Sequence, residues 1–114
     1  MAMVRKYRML GKLEELILIG AICSGDGSSA ADIHGIVCDR AGVEKSFGAV
    51  WTTLSRMEDK KYLRTEMKVT QGSRRGKPRK LFTVTGLGRT ALNENLSATQ
   101  SLLQGTGLVG EFAI

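Results

Sequence analysis

The stretch Ser46–Thr85, SFGAVWTTLSRMEDKKYLRTEMKVTQGSRRGKPRKLFTVT, decides the fold. Ser46 is a favourable helix N-cap, since its hydroxyl can accept from a free amide of the first turn. Phe47, Val50, Leu54 and Met57 then recur at helical spacing and predict one buried stripe. From Tyr62 to Thr70 the period changes to two: Leu63, Thr65, Met67 and Val69 share one side, Arg64, Glu66 and Lys68 the other. That alternation predicts a half-buried strand. Gln71 to Pro78 turn, and Lys80 to Val84 return as a second strand with Phe82 and Val84 inward. The turn is too long for a tight two-residue hairpin loop, so it predicts a long, flexible tip. Arg74, Arg75, Lys77, Arg79 and Lys80 lie in it or beside it, with no acid among them. A helix followed by a two-stranded basic ribbon is the order of a winged helix-turn-helix.

Working backwards, Ser29-x-x-Asp32 is a capping box opening a second helix, in which Ile33, Ile36, Val37 and Ala41 form the apolar stripe. Arg40 suits the far end of its dipole and Gly42 is a natural stop. SGDGSS separates this helix from a more apolar one beginning at Gly11, GKLEELILIGAIC, which is expected to be largely buried. Glu14 and Glu15 fall in its first turn, where the dipole favours acids. Residues 1–10 carry Arg5, Lys6 and Arg8 and are expected to form a basic N-terminal arm, solvated or reaching toward nucleic acid.

Working forwards, Thr85 caps a last helix running to about Gln104. Leu87, Ala91, Leu92, Leu96, Thr99 and Leu103 form its stripe. Three helices and a ribbon already close a small core. Spare apolar surface on a fourth helix is most simply buried against a second copy, with folding back onto the first helix as the competing solution. Leu87, Ala91, Leu92, Leu96 and Leu103 are therefore the expected dimer interface. The expected organisation is an arm (1–10), a winged-helix domain (11–85), a dimerisation helix (86–104) and a flexible tail (105–114). The fold class is α+β, mostly helical: three helices, a two-stranded β-wing and an added C-terminal helix.

The chain has 114 residues and a net charge of +6, which suits a polyanionic partner, nucleic acid before membrane. Five cations on one loop repel each other unless an anion is present. Phosphate contact by Arg74, Arg75, Lys77, Arg79 and Lys80 is therefore the favoured reading over a purely structural loop. The first strong helix of the ribbon unit admits two readings. Its face opposite the stripe carries Gly48, Ala49, Thr52, Ser55 and Arg56, with Trp51 flanking. Small residues allow close approach to a duplex, and Ser, Thr and Arg reach phosphates or base edges. An ordinary solvated face has the same composition.

Several other chemistries are disfavoured. With one histidine, His34, no set of nucleophile, base and orienting group can be assembled, so neither catalysis nor a cofactor is expected. His34 is expected to be a surface or satisfied side chain. Cys23 and Cys38 sit in apolar helical patterns and are expected as buried, reduced thiols; without a Cys-x-x-Cys pair, a metal site is not expected. The apolar run from Leu13 to Cys23 contains two acids and falls short of the about 20 residues of a membrane span. No secretory signal is visible, which suggests a cytoplasmic chain. Gly105-Thr-Gly107-Leu-Val-Gly110 spells GxGxxG but has too little chain after it to make a nucleotide site. The loop Gly72–Lys77 is one residue short of a phosphate loop, and Asn95-Leu-Ser97 is a sequon without other signs of secretion.

GKLEELIL, SFGAVWTTLSRMEDKKYL and GKPRKLFTVTGLGRTAL together resemble the PadR family of transcriptional regulators, over roughly residues 10 to 95. Members usually carry a tyrosine where this chain has Trp51, within a pattern resembling ALYTTLxRLExxGL. The usual glycine near its end is replaced here by Lys61-Tyr62. The two tyrosines after the wing are replaced by Leu81 and Phe82. The resemblance implies a winged-helix homodimer that binds double-stranded DNA at a pseudo-palindromic operator, usually as a repressor. In that case Ser46, Gly48, Ala49, Trp51, Thr52, Ser55 and Arg56 form the recognition helix. Longer relatives carry an extended C-terminal domain, and some release DNA on binding a small effector; nothing in this sequence identifies one. The rival from another class is a winged-helix adaptor whose basic wing meets an acidic protein.

Overall fold

Ser46 Oγ accepts the amide of Ala49 at 3.1 Å, and the helix it caps, α3, runs Phe47–Asp59. The structure, a computed structural model, describes residues 9–71 and 73–109. In chain order the elements are α1 (Lys12–Ser24), β1 (Ser28–Ser29), α2 (Ala30–Ala41), α3, β2 (Leu63–Lys68), β3 (Arg79–Val84) and α4 (Gly86–Leu103). A single 3-10 turn, Arg74–Gly76, lies between β2 and β3. The sheet is antiparallel in the order β1-β3-β2, with Leu63 opposite Val84, Thr65 opposite Phe82 and Lys68 opposite Arg79. This is the α+β winged helix.

The core gathers Ile17 and Leu18 of α1, Ile33 and Val37 of α2, Val50, Leu54 and Met57 of α3, and Leu63 and Phe82 of the sheet. Helices α1 and α2 approach closely at Gly20, where a Cβ would stand 2.6 Å from Val37 Cγ2. A second close approach sets the start of α4 beside Tyr62, just before β2. At Gly88 a Cβ would lie 2.3 Å from the Tyr62 carbonyl oxygen, so only glycine fits. The amide of Gly88 donates to Thr85 Oγ1 at 3.0 Å, and Thr85 N donates to that same Tyr62 carbonyl at 3.0 Å.

Several expectations need correction. Phe47 is not part of the buried stripe: it is 46% exposed, because α3's first turn projects past the helices it packs on, and Thr53 lies inside instead. Met67 and Val69, expected inward, are 63% and 56% exposed, because the ribbon outruns the helical body beyond Thr65. Cys23 is exposed, since α1's last turn borders an open groove between α1 and α2 rather than the core, and Cys38 is half-buried with its thiol 3.8 Å from the Lys45 carbonyl oxygen. Ser28 and Ser29 form a short third strand against Leu81 and Phe82, a pairing with no local signal. Glu14 and Glu15 do more than meet the dipole. Both are buried; Glu14 pairs with Lys60 at 2.7 Å, and Glu15 accepts from Asn95 Nδ2 at 3.2 Å.

Helix α4 divides in two. Gly88, Ala91, Leu92 and Asn95 are buried against the chain's own body, Leu92 within the main core. Asn95 Oδ1 also accepts the amide of Leu10 at 3.2 Å, tying the start of the fold to α4. At helical spacing the same side continues to Thr99 and Leu102, and Leu102 is 81% exposed. The basic arm falls outside the described residues except for Met9 and Leu10, and the tail is described only to Val109.

Lys61, which the resemblance sets at the pattern's glycine, adopts φ 68°, the left-handed conformation that glycine enters freely and lysine only at a cost. The turn is thus kept at a cost of about 1 kcal/mol. Lys61→Gly should raise stability by up to about that amount, read as an increase in the urea midpoint at unchanged slope.

Candidate nucleic-acid interface

Helix α3 and the wing present the residues singled out in the sequence. Ser46, Gly48, Trp51, Thr52 and Arg56 are exposed, and Ala49 and Ser55 half-buried. A Cβ at Gly48 would meet only Ser46 Oγ, at 4.0 Å, so this part of α3 is open to close approach. Thr53, between them, turns inward and its hydroxyl donates to Ala49 O at 2.9 Å.

In the wing, Arg74, Arg75 and Lys77 are exposed and Arg79 and Lys80 half-buried. Arg75 takes φ 54° and Gly76 φ 71°, reversing the chain at the tip. Thr70 N donates to Ser73 Oγ at 2.7 Å across the turn. Among the described residues, no acid forms an ion pair with Arg74, Arg75, Lys77 or Arg79. Their mutual repulsion is uncompensated, which is the electrostatics of an anion site.

Lys80 stands apart from the other four. Its Nζ lies 2.8 Å from Glu58 Oε1 at the end of α3, and 5.7 Å from the centroid of the Trp51 ring. Glu58 Oε2 accepts from Thr65 Oγ1 at 2.7 Å. Glu58 therefore ties α3 to both strands of the wing, and Lys80 is directed onto α3 rather than outward. The Lys80 ammonium, and then the Thr65 hydroxyl, hold the Glu58 carboxyl below the usual carboxylate range against a smaller effect of burial. At Glu14, burial pushes the carboxyl up, but the Lys60 ammonium and the Gly11 amide outweigh it and leave it lowered.

These carboxyls are more acidic folded than unfolded, so as pH falls the unfolded chain takes up protons first. The stabilisation is present above the unfolded value and is lost as pH drops through it toward the folded one. Melting temperatures measured from about pH 7 to about pH 3 should fall through the carboxylate range. Glu14→Gln should lower the neutral plateau and flatten that fall, the two proteins converging at low pH; parallel curves would rule out Glu14 as a source.

An aromatic row that the apolar periodicity does not reveal runs beside this face. The rings of His34 and Phe47 meet edge-on at 5.8 Å, Phe47 and Trp51 are stacked at 6.3 Å, and Trp51 meets Phe82 edge-on at 6.1 Å. His34 Nε2 is 2.7 Å from Lys45 O, so the histidine is satisfied as expected. Ser29, Ala30, Ala31, Phe47, Trp51, Arg79 and Lys80 line a shallow pocket that joins α2, α3 and the wing base. The i, i+4 spacing of Phe47 and Trp51 was the available signal for that pairing. Among the described residues, no group of three His, Cys, Asp or Glu could hold a metal, and no helix is long and apolar enough to cross a membrane.

Solved structures share this architecture. The chain is similar to a PadR-like transcriptional regulator from Bacillus cereus, at 24% identity and TM-score 0.59, covering 82% of this chain and 92% of that one. A PadR family regulator from Eggerthella lenta is similar at 20% identity and TM-score 0.65, covering 81% and 78%. A winged-helix DNA-binding protein from STIV reaches TM-score 0.68 at 15% identity, covering 86% and 98%. No curated protein matches the sequence. The family model for PadR-like transcriptional regulators matches residues 31–94, from the first turn of α2 through the wing to the middle of α4. With more than half of its length matched and the helix, ribbon and wing in place, the chain belongs to the PadR-like family of DNA-binding transcriptional regulators.

Proposed function

We propose that the protein is a homodimeric, sequence-specific repressor acting on a pseudo-palindromic operator in double-stranded DNA. The observation that carries this reading is the pairing of an open, small and polar α3 face with a wing whose Arg74, Arg75, Lys77 and Arg79 have no acid partners among the described residues. Ser46, Gly48, Ala49, Thr52, Ser55 and Arg56 enter the major groove, Trp51 packs at the sugar–phosphate backbone, and the wing grips phosphates. Lys80 takes part by orienting the wing.

Dimerisation uses the distal half of α4. Ala91 and Leu92 are buried against the chain's own body, so the surface left for a second copy centres on Leu96, Leu102 and Leu103, while Leu87, exposed at the other end of α4, lies apart from it. Met9, Leu10, Leu96 and Thr99 line an adjoining pocket of about 340 Å³. Half-sites then lie about one helical turn apart.

Selecting bound fragments from a genomic DNA library tests the reading, since it returns site, spacing and symmetry together. An inverted repeat with that spacing, bound by a species of twice the chain mass, is the expected result. No retention of any DNA at low salt sinks it and leaves the acidic-protein adaptor. Leu102→Glu should give a folded monomer with weakened operator binding.

A further inference from the structure

Phe47 and Trp51 are contiguous, stacked and 46% and 39% exposed, at the N-terminal turns of the proposed recognition helix. Among the described residues nothing covers them, although neighbouring apolar side chains of α3 (Val50, Leu54, Met57) are fully buried. Nor can they turn inward. Phe47 is held edge-on by His34, whose own ring is fixed at Lys45 O, and Trp51 abuts Phe82. The pair is an apolar ledge next to Gly48 and Thr52 on α3, and it shares a shallow pocket with Arg79.

The occupant of such a ledge must be anionic in the large and apolar at one point. Duplex DNA meets both demands. Cations flank the ledge, and the only apolar group on a base edge in the major groove is the thymine 5-methyl. We infer that Phe47, backed by Trp51, is a specificity-determining residue that takes a thymine methyl group in each half-site. This rests on the DNA-binding reading above and adds to it a base preference carried by a side chain outside the small polar face. The stacking fixes the ring before DNA arrives, so little side-chain freedom is lost on contact.

Replacing thymine by deoxyuridine removes the methyl and leaves the hydrogen-bonding edge intact. The full chain is titrated with a selected operator duplex and with the same duplex containing deoxyuridine throughout, in one salt concentration. With one methyl buried in each of the two half-sites, the thymine duplex should bind about fifteen-fold tighter. Phe47→Ala should bind both duplexes alike, near the level of the unsubstituted protein on deoxyuridine, with its salt dependence unchanged. Phe47→Leu, which keeps an apolar contact, should restore part of the preference. Equal binding of both duplexes by the unsubstituted protein overturns the inference while leaving DNA binding intact, and that arm needs no variant. A preference that survives in Phe47→Ala also overturns it. Retention of neither duplex at low salt overturns this inference and the DNA-binding reading together.

Discussion

Arg74→Ala/Arg75→Ala should weaken binding to every DNA sequence and flatten its salt dependence. A dimer neutralising roughly eight phosphates has a slope of log K against log salt near about −7, since each contact contributes about −0.9. Removing two cations per protomer removes up to four contacts and brings the slope to about −4. Between about 50 and 200 mM salt, the unsubstituted protein should lose on the order of 10⁴ in affinity and the variant only on the order of 10². Fold stability should change little, because both side chains are exposed and neither is paired with an acid among the described residues. Binding isotherms at four or five salt concentrations give the slope directly. Lys80→Ala is the internal contrast. Its ammonium is bound to Glu58, so it should change the slope much less than either arginine while reducing discrimination between operator and random DNA. A slope unaltered in the double arginine variant rules out the wing as a phosphate grip.

Phe82→Ala should cost about 3–5 kcal/mol, the range for deleting a large aromatic from a packed core. Phe82 is 1% exposed, and it stands where the sheet meets the helices: opposite Thr65 in β2, opposite Ser28 in β1, and edge-on beneath Trp51. Domains of this kind hold only about 5–15 kcal/mol in total, so the variant should be marginal at physiological temperature. Trp51 is the chain's single tryptophan, which makes the consequence visible. Its emission should shift to the red as the ring loses its support, before global unfolding. Phe82→Leu keeps most of the volume and should cost less than about half as much. A loss below about 1 kcal/mol for Phe82→Ala would mean that the wing base packs on α3 through other side chains.

Much of this fold is local, and what is local was legible. Ser46, Thr85 and the Ser29/Asp32 box start their helices where side-chain oxygens can reach free amides. Gly42, at φ 67°, ends α2. The change of period from helical to alternating at Tyr62 marks the ribbon, and the uncompensated charge of the tip is a matter of counting. Two segments misled because periodicity records which residues share a side, and not how far the body behind that side extends. Phe47 and Met67 lie on the right sides of their elements, yet both elements run past the core, so both are exposed. For Cys23 the error was of the same kind, a helical face that meets a groove instead of a neighbour.

The sequence by itself determined the order of the four helices and the two ribbon strands, the caps at Ser29, Ser46 and Thr85 and the basic wing, because capping, periodicity and charge depend on residues within a turn or two of each other. Only the tertiary structure decided that Lys80 belongs to Glu58, that Ala91 and Leu92 are consumed inside the chain, and that Phe47 and Trp51 stand out as a ledge beside the small polar face of α3. Each depends on where an element's end falls relative to another element far away in sequence. That distance is set by close packing at points such as Gly20 and Gly88, which no local pattern encodes.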